Sequence, residues 1–492
     1  MATIAYILLG LYVVALIYIM VFCLMQFHLL YHYRKNAEVS LGNFEDTKDE
    51  DLPFVTIQLP IYNELYVVER LIDNIAKFDY PKDKYEIHIL DDSTDETVQI
   101  ALAKVEEYKA KGFNIEHITR SNRVGYKAGA LKEGTKFAKG EFLAIFDADF
   151  LPNPDFLRQT IPHFVDEKVG VVQTRWEHIN EDYSLITRLQ AFQLNVHFTV
   201  EQMGRYNADY LLQFNGTAGV WRRECITDAG GWEADTLTED LDLSYRAQFK
   251  GWKITFLEDI TSPAELPAEM NGLKSQQHRW MKGGAETAVK LLPTVWKSNI
   301  SLGQKIHATS HLLSSSIFLF VFFIGVSSVP LVFMLKGVDF DLDYLGFFLI
   351  SLLTIIVVYY NANVRKAWKD GLTVKNFFKF IFLFPVFLAL SMGLSFHNSI
   401  AVIQGLRGRK SPFVRTPKFD IKGLTDKFAK DKYHYKDINK VTIFEGVLAI
   451  YFMMAIIGAI VIGNTSFIIF HTLLAFGYST IFFFSIKHSK AK

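Results

Sequence analysis

Only two cysteines occur in 492 residues, Cys23 inside an apolar run and Cys225 in the mixed middle of the chain. A disulfide between them is not expected, so neither an oxidising compartment nor a zinc site is implied. Both are read as small apolar side chains. Surplus charge is lacking too, with 52 Lys and Arg against 52 Asp and Glu. That balance argues against a nucleic-acid binder, which normally carries a basic surplus. There is no internal repeat and no low-complexity tract. What is abundant is apolar: hydrophobic residues reach 50% and Phe alone numbers 43. The excess is uneven. Runs of about twenty apolar residues lie at the N-terminus and after residue 310 and read as membrane helices, while the middle has the composition of a soluble domain.

Four parts follow from this distribution. Residues 1–35 form an N-terminal transmembrane helix. The apolar run from Thr3 to about Leu30 is too long and too aromatic for a removable signal peptide and lacks a basic start. Arg34 and Lys35 follow it and place the next segment in the cytosol. Residues 36–51 are a polar, acidic linker. Residues 52–300 alternate β-rich runs (54–60, 86–92, 114–120, 141–149, 169–176) with amphipathic stretches (64–78, 95–111, 126–138), which implies a mostly parallel α/β sheet covered by helices. Residues 301–492 are a transmembrane region. Spans are expected at 312–335 and 345–362, joined by an acidic loop (336–344), and at 442–462 and 466–486. The apolar stretch 377–404 lies between basic flanks, since 405–440 carries eleven Lys and Arg against four Asp. Both its ends therefore read as cytosolic, and it is expected along the interface, with Pro385 able to bend it.

Four groups of residues carry the chemistry: Asp91-Asp92, Asp147-Ala148-Asp149, Thr238-Glu239-Asp240 and Gln276-Gln277-His278-Arg279-Trp280. The first two close strands, and strand ends are where open α/β sheets bind ligands. Carboxylates one residue apart suit a divalent cation that also holds a diphosphate. A third acid can serve as general base, and an Arg-Trp pair offers a phosphate fork beside a flat apolar face. Adjacent Asp91 and Asp92 repel each other, a cost that a bound ribose, base or cation would relieve. Tyr62 can stack on a base, with Glu64 in a first helical turn after it. Lys127, in a glycine-containing turn at a helix start, can meet a phosphate. Phe214-Asn215-Gly216-Thr217 reads as a small, flexible loop with an aromatic entrance, suited to an approaching acceptor sugar. Each group also has a bland reading as a helix cap, a solvated lysine or an interfacial Trp; together they describe a metal-dependent transfer of sugar from a nucleotide diphosphate.

Taken in order, these groups resemble the processive family 2 glycosyltransferases of the cellulose synthase superfamily, whose pattern reads D-D, D-x-D, T-E-D and Q-x-x-R-W. The likeness is greatest to the cellulose synthase-like A and C branches, which make mannan, glucomannan or glucan backbones. LDDST (90–94), GYKAGAL (125–131), AIFDADF (144–150), HFTVEQ (197–202), FNGTAGVWR (214–222) and QQHRW (276–280) carry it. Phe413, Thr416 and Lys418 match the F-x-V-T-x-K gating loop of cellulose synthases within residues 411–420, but Arg415 stands where that family has Val.

The resemblance implies a GT-A fold, Rossmann-like, with an α-helical transmembrane region and inverting transfer that uses Mg²⁺ or Mn²⁺. Asp149 would take the metal. Tyr62, Glu64, Asp92, Lys127, Asp147, Gln276 and Arg279 would hold the nucleotide sugar (UDP-glucose, GDP-mannose or GDP-glucose). Asp240 would be the base, and Phe214, Asn215, Gly216, Thr217 and Trp280 would meet the growing polysaccharide. The expected activity is a processive β-1,4-hexosyltransferase that also translocates its product. The alternative is a lipid glycosyltransferase adding one sugar to ceramide or diacylglycerol. The protein would be multi-pass in the membrane (plasma or inner membrane in a bacterium), in contact with lipid, with its catalytic domain in the cytosol. No protein partner is named by these features, and no regulatory domain is expected after the last span.

Overall fold

A computed structural model describes residues 2–35, 48–334, 342–368, 371–411, 413–421 and 439–490. Most of the linker expected over 36–51, most of the acidic loop 336–344, and residues 422–438 of the basic segment lie outside the described residues.

Among the described residues, seven strands form one sheet: β1 Val55–Ile61, β2 Tyr85–Asp91, β3 Ile115–Thr119, β4 Phe142–Ile145, β5 Val169–His178, β6 Gly219–Arg222 and β7 Lys253–Ala264. Their order is β3-β2-β1-β4-β6-β5-β7. β1 pairs in parallel with β2 and β4, and β2 with β3. β6 runs antiparallel between β4 and β5, and β5 pairs in parallel with β7. In β1, six of seven residues are buried, as a central strand covered on both faces requires. One cover is the helix Val68–Ile75, which turns Val68, Leu71, Ile72 and Ile75 inward at helical spacing.

The five strands expected from sequence are present, but the run expected to 149 leaves the sheet after Ile145. The Asp147 amide there meets the Thr217 hydroxyl (2.9 Å) instead of a neighbouring strand. β6 and β7 escaped prediction for different reasons. The first has only four residues, and the second carries charges and breaks register beside Thr174 and Arg175.

Among the described residues, six helices are long and apolar enough to cross a membrane: Thr3–Arg34, Ser314–Met334, Tyr344–Ala367, Val374–Gly393, Lys440–Val461 and Ile468–Ser489. Ile4, Leu11 and Val14 of the first are exposed, a surface fit for lipid rather than water. The stretch expected as one interfacial segment is two helices, Val374–Gly393 and Ser395–Leu406, broken at Leu394 rather than Pro385. The first meets the length criterion for a span, yet Phe380, Phe384 and Phe387 pack with Phe192 and Leu273 of the globular domain. The second lies on the helix Met270–Lys297, where His397 Nε2 is 2.9 Å from the Lys274 carbonyl.

Candidate active site

The carboxyl ends of β1, β2 and β4 open on one side of the sheet, and the start of β6 returns to the same edge because Gly219 pairs with Ile145. The two acids after β2 part there. Asp91 is buried, 2.8 Å from His117 Nε2, and accepts the Ser93 amide at 2.8 Å. Asp92 is gripped on both oxygens by Arg120, whose Nε lies 2.7 Å away. Arg120 is itself fixed by the Val124 and Tyr126 carbonyls at 2.9 and 3.0 Å. Each acid of the pair thus has a partner from inside the chain, His117 for Asp91 and Arg120 for Asp92.

Past β4, Asp147 and Asp149 each meet a lysine. Lys127 bridges Asp147 and the Gly216 carbonyl, the latter at 2.8 Å. Burial disfavours its ammonium, but Asp147, Glu239 and Asp240 outweigh that and raise its pKa. Lys418 comes from the segment 413–421 to pair with Asp149. Arg415 of that segment reaches Glu64 (3.3 Å) and the Asn63 carbonyl, and Arg279 holds the Val414 carbonyl. Phe413 lies 5.7 Å from the Tyr126 ring and 4.8 Å from the Arg279 guanidinium. Glu64 Oε2 is buried without a hydrogen-bond partner among the described residues. Burial raises the Glu64 pKa to about 7, although Arg415 and Lys418 pull it back.

The third wall is the helix Glu239–Phe249. Thr238 precedes it but does not cap it with its side chain; its hydroxyl instead meets Thr287 at 2.9 Å on the helix Met270–Lys297. That contact docks the helix bearing Gln276, Arg279 and Trp280 on the cleft. Asp240 accepts the Leu241 amide at 2.9 Å. Burial, then Glu239 beside it, raises the Asp240 pKa to about 7. Glu239 is raised as well, by burial first. Gly216 faces Asp240 with φ +80°, and a Cβ there would stand 3.0 Å from Asp240 Oδ2, so a side chain would strain the backbone and press on the carboxylate.

These side chains line one cleft of about 1140 Å³, its open mouth included. Tyr62, Glu64, Asp92, Lys127, Asp147, Asp149, Asn215, Gly216, Asp240, Gln276, Arg279, Trp280, Phe413, Thr416 and Lys418 all reach it. Two expected residues do not. Phe214 is no entrance: it is fully buried and edge-on to Trp221 at 5.5 Å, because its backbone feeds β6 in the core. Thr217 is buried beneath Asp147 as its hydrogen-bond acceptor. The Tyr62 ring is covered by the Arg123 guanidinium 3.2 Å away, so the surface beside it is cationic as well as aromatic. Arg123 and Trp176 line the cleft without having been expected there, and Glu239 joins them from the Thr238-Glu239-Asp240 group. Arg123 lies two residues before the quoted GYKAGAL stretch, and Trp176 closes a predicted strand. Arg120 left no signal, since its role depends on strand pairing.

A divalent cation fits this donor set. Two aspartates one residue apart reach the cleft, each satisfied by a cation of the chain, beside a buried carboxylate oxygen that lacks a partner. A tighter triad elsewhere, Glu233, Asp235 and Asp242, lies outside this cleft and meets Lys290 at 2.6 to 2.9 Å.

Residues 53–283 match the family described as "Glycosyltransferase like family 2". The chain is 43% identical over 261 residues to glucomannan 4-beta-mannosyltransferase 1 of Oryza sativa subsp. japonica, covering 52% of this chain and 50% of that protein. It is also 43% identical over 253 residues to glucomannan 4-beta-mannosyltransferase 2 of Arabidopsis thaliana, covering 50% and 47%. The chain thus spans about half the length of the curated relatives it matches. Among solved structures, a mannosyltransferase from Pyrobaculum calidifontis, in complex with GDP-Man and Mn²⁺, superposes with a TM-score of 0.55 at 17% identity. That match covers 83% of this chain and 99% of the other. The globular part has the GT-A fold.

Proposed function

From a family 2 glycosyltransferase domain at residues 53–283, we propose that the protein is a membrane-embedded, inverting and processive β-1,4-hexosyltransferase. It builds a mannan-type backbone from GDP-mannose. The observation that carries this is the meeting of Asp92, Asp147, Asp149, Asp240 and Arg279 in one cleft, in a chain 43% identical across that domain to glucomannan mannosyltransferases.

In this reading the nucleotide enters beside Asp92, Tyr62 and Arg123, and Lys127 and Arg279 face the diphosphate. Asp149, with Asp147 and Glu64 near it, would hold Mg²⁺ or Mn²⁺, which supplies charge stabilisation for the leaving diphosphate. Asp240 takes the proton from the acceptor hydroxyl. The freed oxygen attacks the anomeric carbon, the bond from that carbon to the diphosphate breaks, and the nucleoside diphosphate departs. A raised pKa suits this role because proton transfer is most effective near the working pH. Trp280 offers the terminal sugar an apolar face. The globular domain lies in the cytosol, and the helices Val374–Gly393 and Ser395–Leu406 lie along that interface, in keeping with their contacts to it.

Full-length protein in nanodiscs with Mg²⁺ or Mn²⁺, offered labelled GDP-mannose, UDP-glucose and GDP-glucose separately, tests the reading. Insoluble product from GDP-mannose that β-mannanase digests is expected. Transfer of one sugar, and only after ceramide or diacylglycerol is added, would overturn it in favour of a lipid glycosyltransferase.

A further inference from the structure

The helix Met270–Lys297 turns four residues at helical spacing, Gly283, Glu286, Thr287 and Lys290, toward the stretch 237–242 that carries Asp240. Each makes a contact there. A Cβ at Gly283 would stand 2.6 Å from Thr238 Cγ2 and 3.0 Å from the Leu237 carbonyl carbon, so helix and stretch meet with no side chain between them. Glu286 Oε2 accepts the Leu237 amide at 2.9 Å, and the Thr287 and Thr238 hydroxyls are 2.9 Å apart. Lys290 Nζ closes the row, 2.9 Å from Asp242 Oδ1. Arg279 and Trp280 stand on the same helix, just before this row.

Lys290 is the charged end of the row and gathers more than one acid. Its Nζ also lies 2.6 Å from Glu233 Oε2 and 2.9 Å from Asp235 Oδ2. Burial disfavours the ammonium, but the hydrogen bonds from these carboxylates outweigh that and raise its pKa. Glu233 is half-buried and Asp235 exposed, whereas Asp242 is fully buried. Asp242 shares the first turn of the helix Glu239–Phe249 with Glu239 and Asp240, and Arg246 holds it as well, at 2.8 Å. Neither Lys290 nor Asp242 lines the cleft. The turn that presents Asp240 is thus pinned from outside the cleft, two residues on, by a cation of the helix that bears Trp280.

We propose that Lys290 is a positioning residue for the transfer step: by holding Asp242 it sets the carboxyl of Asp240 against the Trp280 face on which the acceptor sugar rests. The proposal rests on the glycosyltransferase reading above, in which Asp240 is the base. A base must lie within hydrogen-bond reach of the hydroxyl it deprotonates, and a misplacement of about 1 Å costs on the order of 10²-fold. Nucleotide binding depends on this lock far less. Asp92, Lys127, Asp147 and Asp149 reach the cleft from other elements.

The test compares full-length wild type, Lys290→Met and Lys290→Arg in nanodiscs, with turnover expressed per nucleotide site counted by calorimetric titration with GDP and Mn²⁺. Lys290→Met keeps the apolar stem and leaves Asp242 paired with Arg246. It is expected to lower kcat per site by roughly 10- to 100-fold, with GDP affinity unchanged. Lys290→Arg can still meet the carboxylates and should restore most of the rate. If Lys290→Met does not fold, Thr287→Val carries the test. It cuts the neighbouring contact without stranding a charge, and should lower kcat per site several-fold with GDP affinity again unchanged. Full kcat per site beside a lower melting midpoint would make the row structural only and overturn the proposal. So would GDP affinity falling in step with the rate, or Lys290→Arg as slow as Lys290→Met. A wild-type protein that binds GDP but transfers hexose to no acceptor would instead remove the reading beneath it.

Discussion

As the base proposed above, Asp240 sets the expected pH behaviour of the site. Its pKa of about 7 means that it is protonated, and useless as a base, at lower pH. Turnover should therefore climb with pH and level off above about pH 7; an ordinary carboxylate near 4 would leave the profile flat there. Steady-state rates from about pH 5.5 to about pH 8.5 read this directly. Asp240→Asn should lower turnover by about 10²–10⁴-fold while nucleotide-sugar binding, followed by calorimetry, persists. The acids themselves are legible in the sequence because their spacing is chemical. Their partners are not. Arg120 reaches Asp92 only because β3 lies beside β2. Phe214 misleads because an aromatic residue opening a loop of small residues reads equally well as a mouth or as core.

At the scale of elements, the segment 413–421 spans the cleft by ionic contacts that a three-residue motif match could not foretell. Arg415, the position where the chain departs from the gating-loop pattern, is the one that meets Glu64. Arg415→Val should loosen the segment, and trypsin should cut at Lys418 several-fold faster in the absence of donor. An unchanged cleavage rate would mean that Lys418 alone holds it. The helix pair Val374–Gly393 and Ile468–Ser489 touches through glycine, since a Cβ at Gly477 would stand 1.9 Å from the Ala389 carbonyl oxygen. Gly477→Ala should destabilise the protein by about 1–3 kcal/mol, seen as a lower melting midpoint in detergent. Apolar length made the helices legible, whereas β6 and β7 were hidden by brevity and by charge.

Across the whole molecule, a buried ion pair ties the catalytic domain to the membrane region. Lys274 Nζ on the helix Met270–Lys297 is 2.7 Å from Glu445 Oε2 on the helix Lys440–Val461. Removing one partner leaves a buried charge, so Lys274→Ala should cost about 3–5 kcal/mol. Lys274→Met with Glu445→Leu should restore most of it in thermal melts. Charge runs led to an expectation of which flanks share a side of the membrane, but not that the two parts are locked by one such pair. This lock bears on the central claim, which is that one chain both joins sugars and passes the product across a bilayer. In sealed proteoliposomes with the globular domain facing out, labelled polymer made from GDP-mannose should resist externally added β-mannanase until detergent opens the vesicles. Polymer digested without detergent, or label found only as a single sugar on lipid, would contradict it.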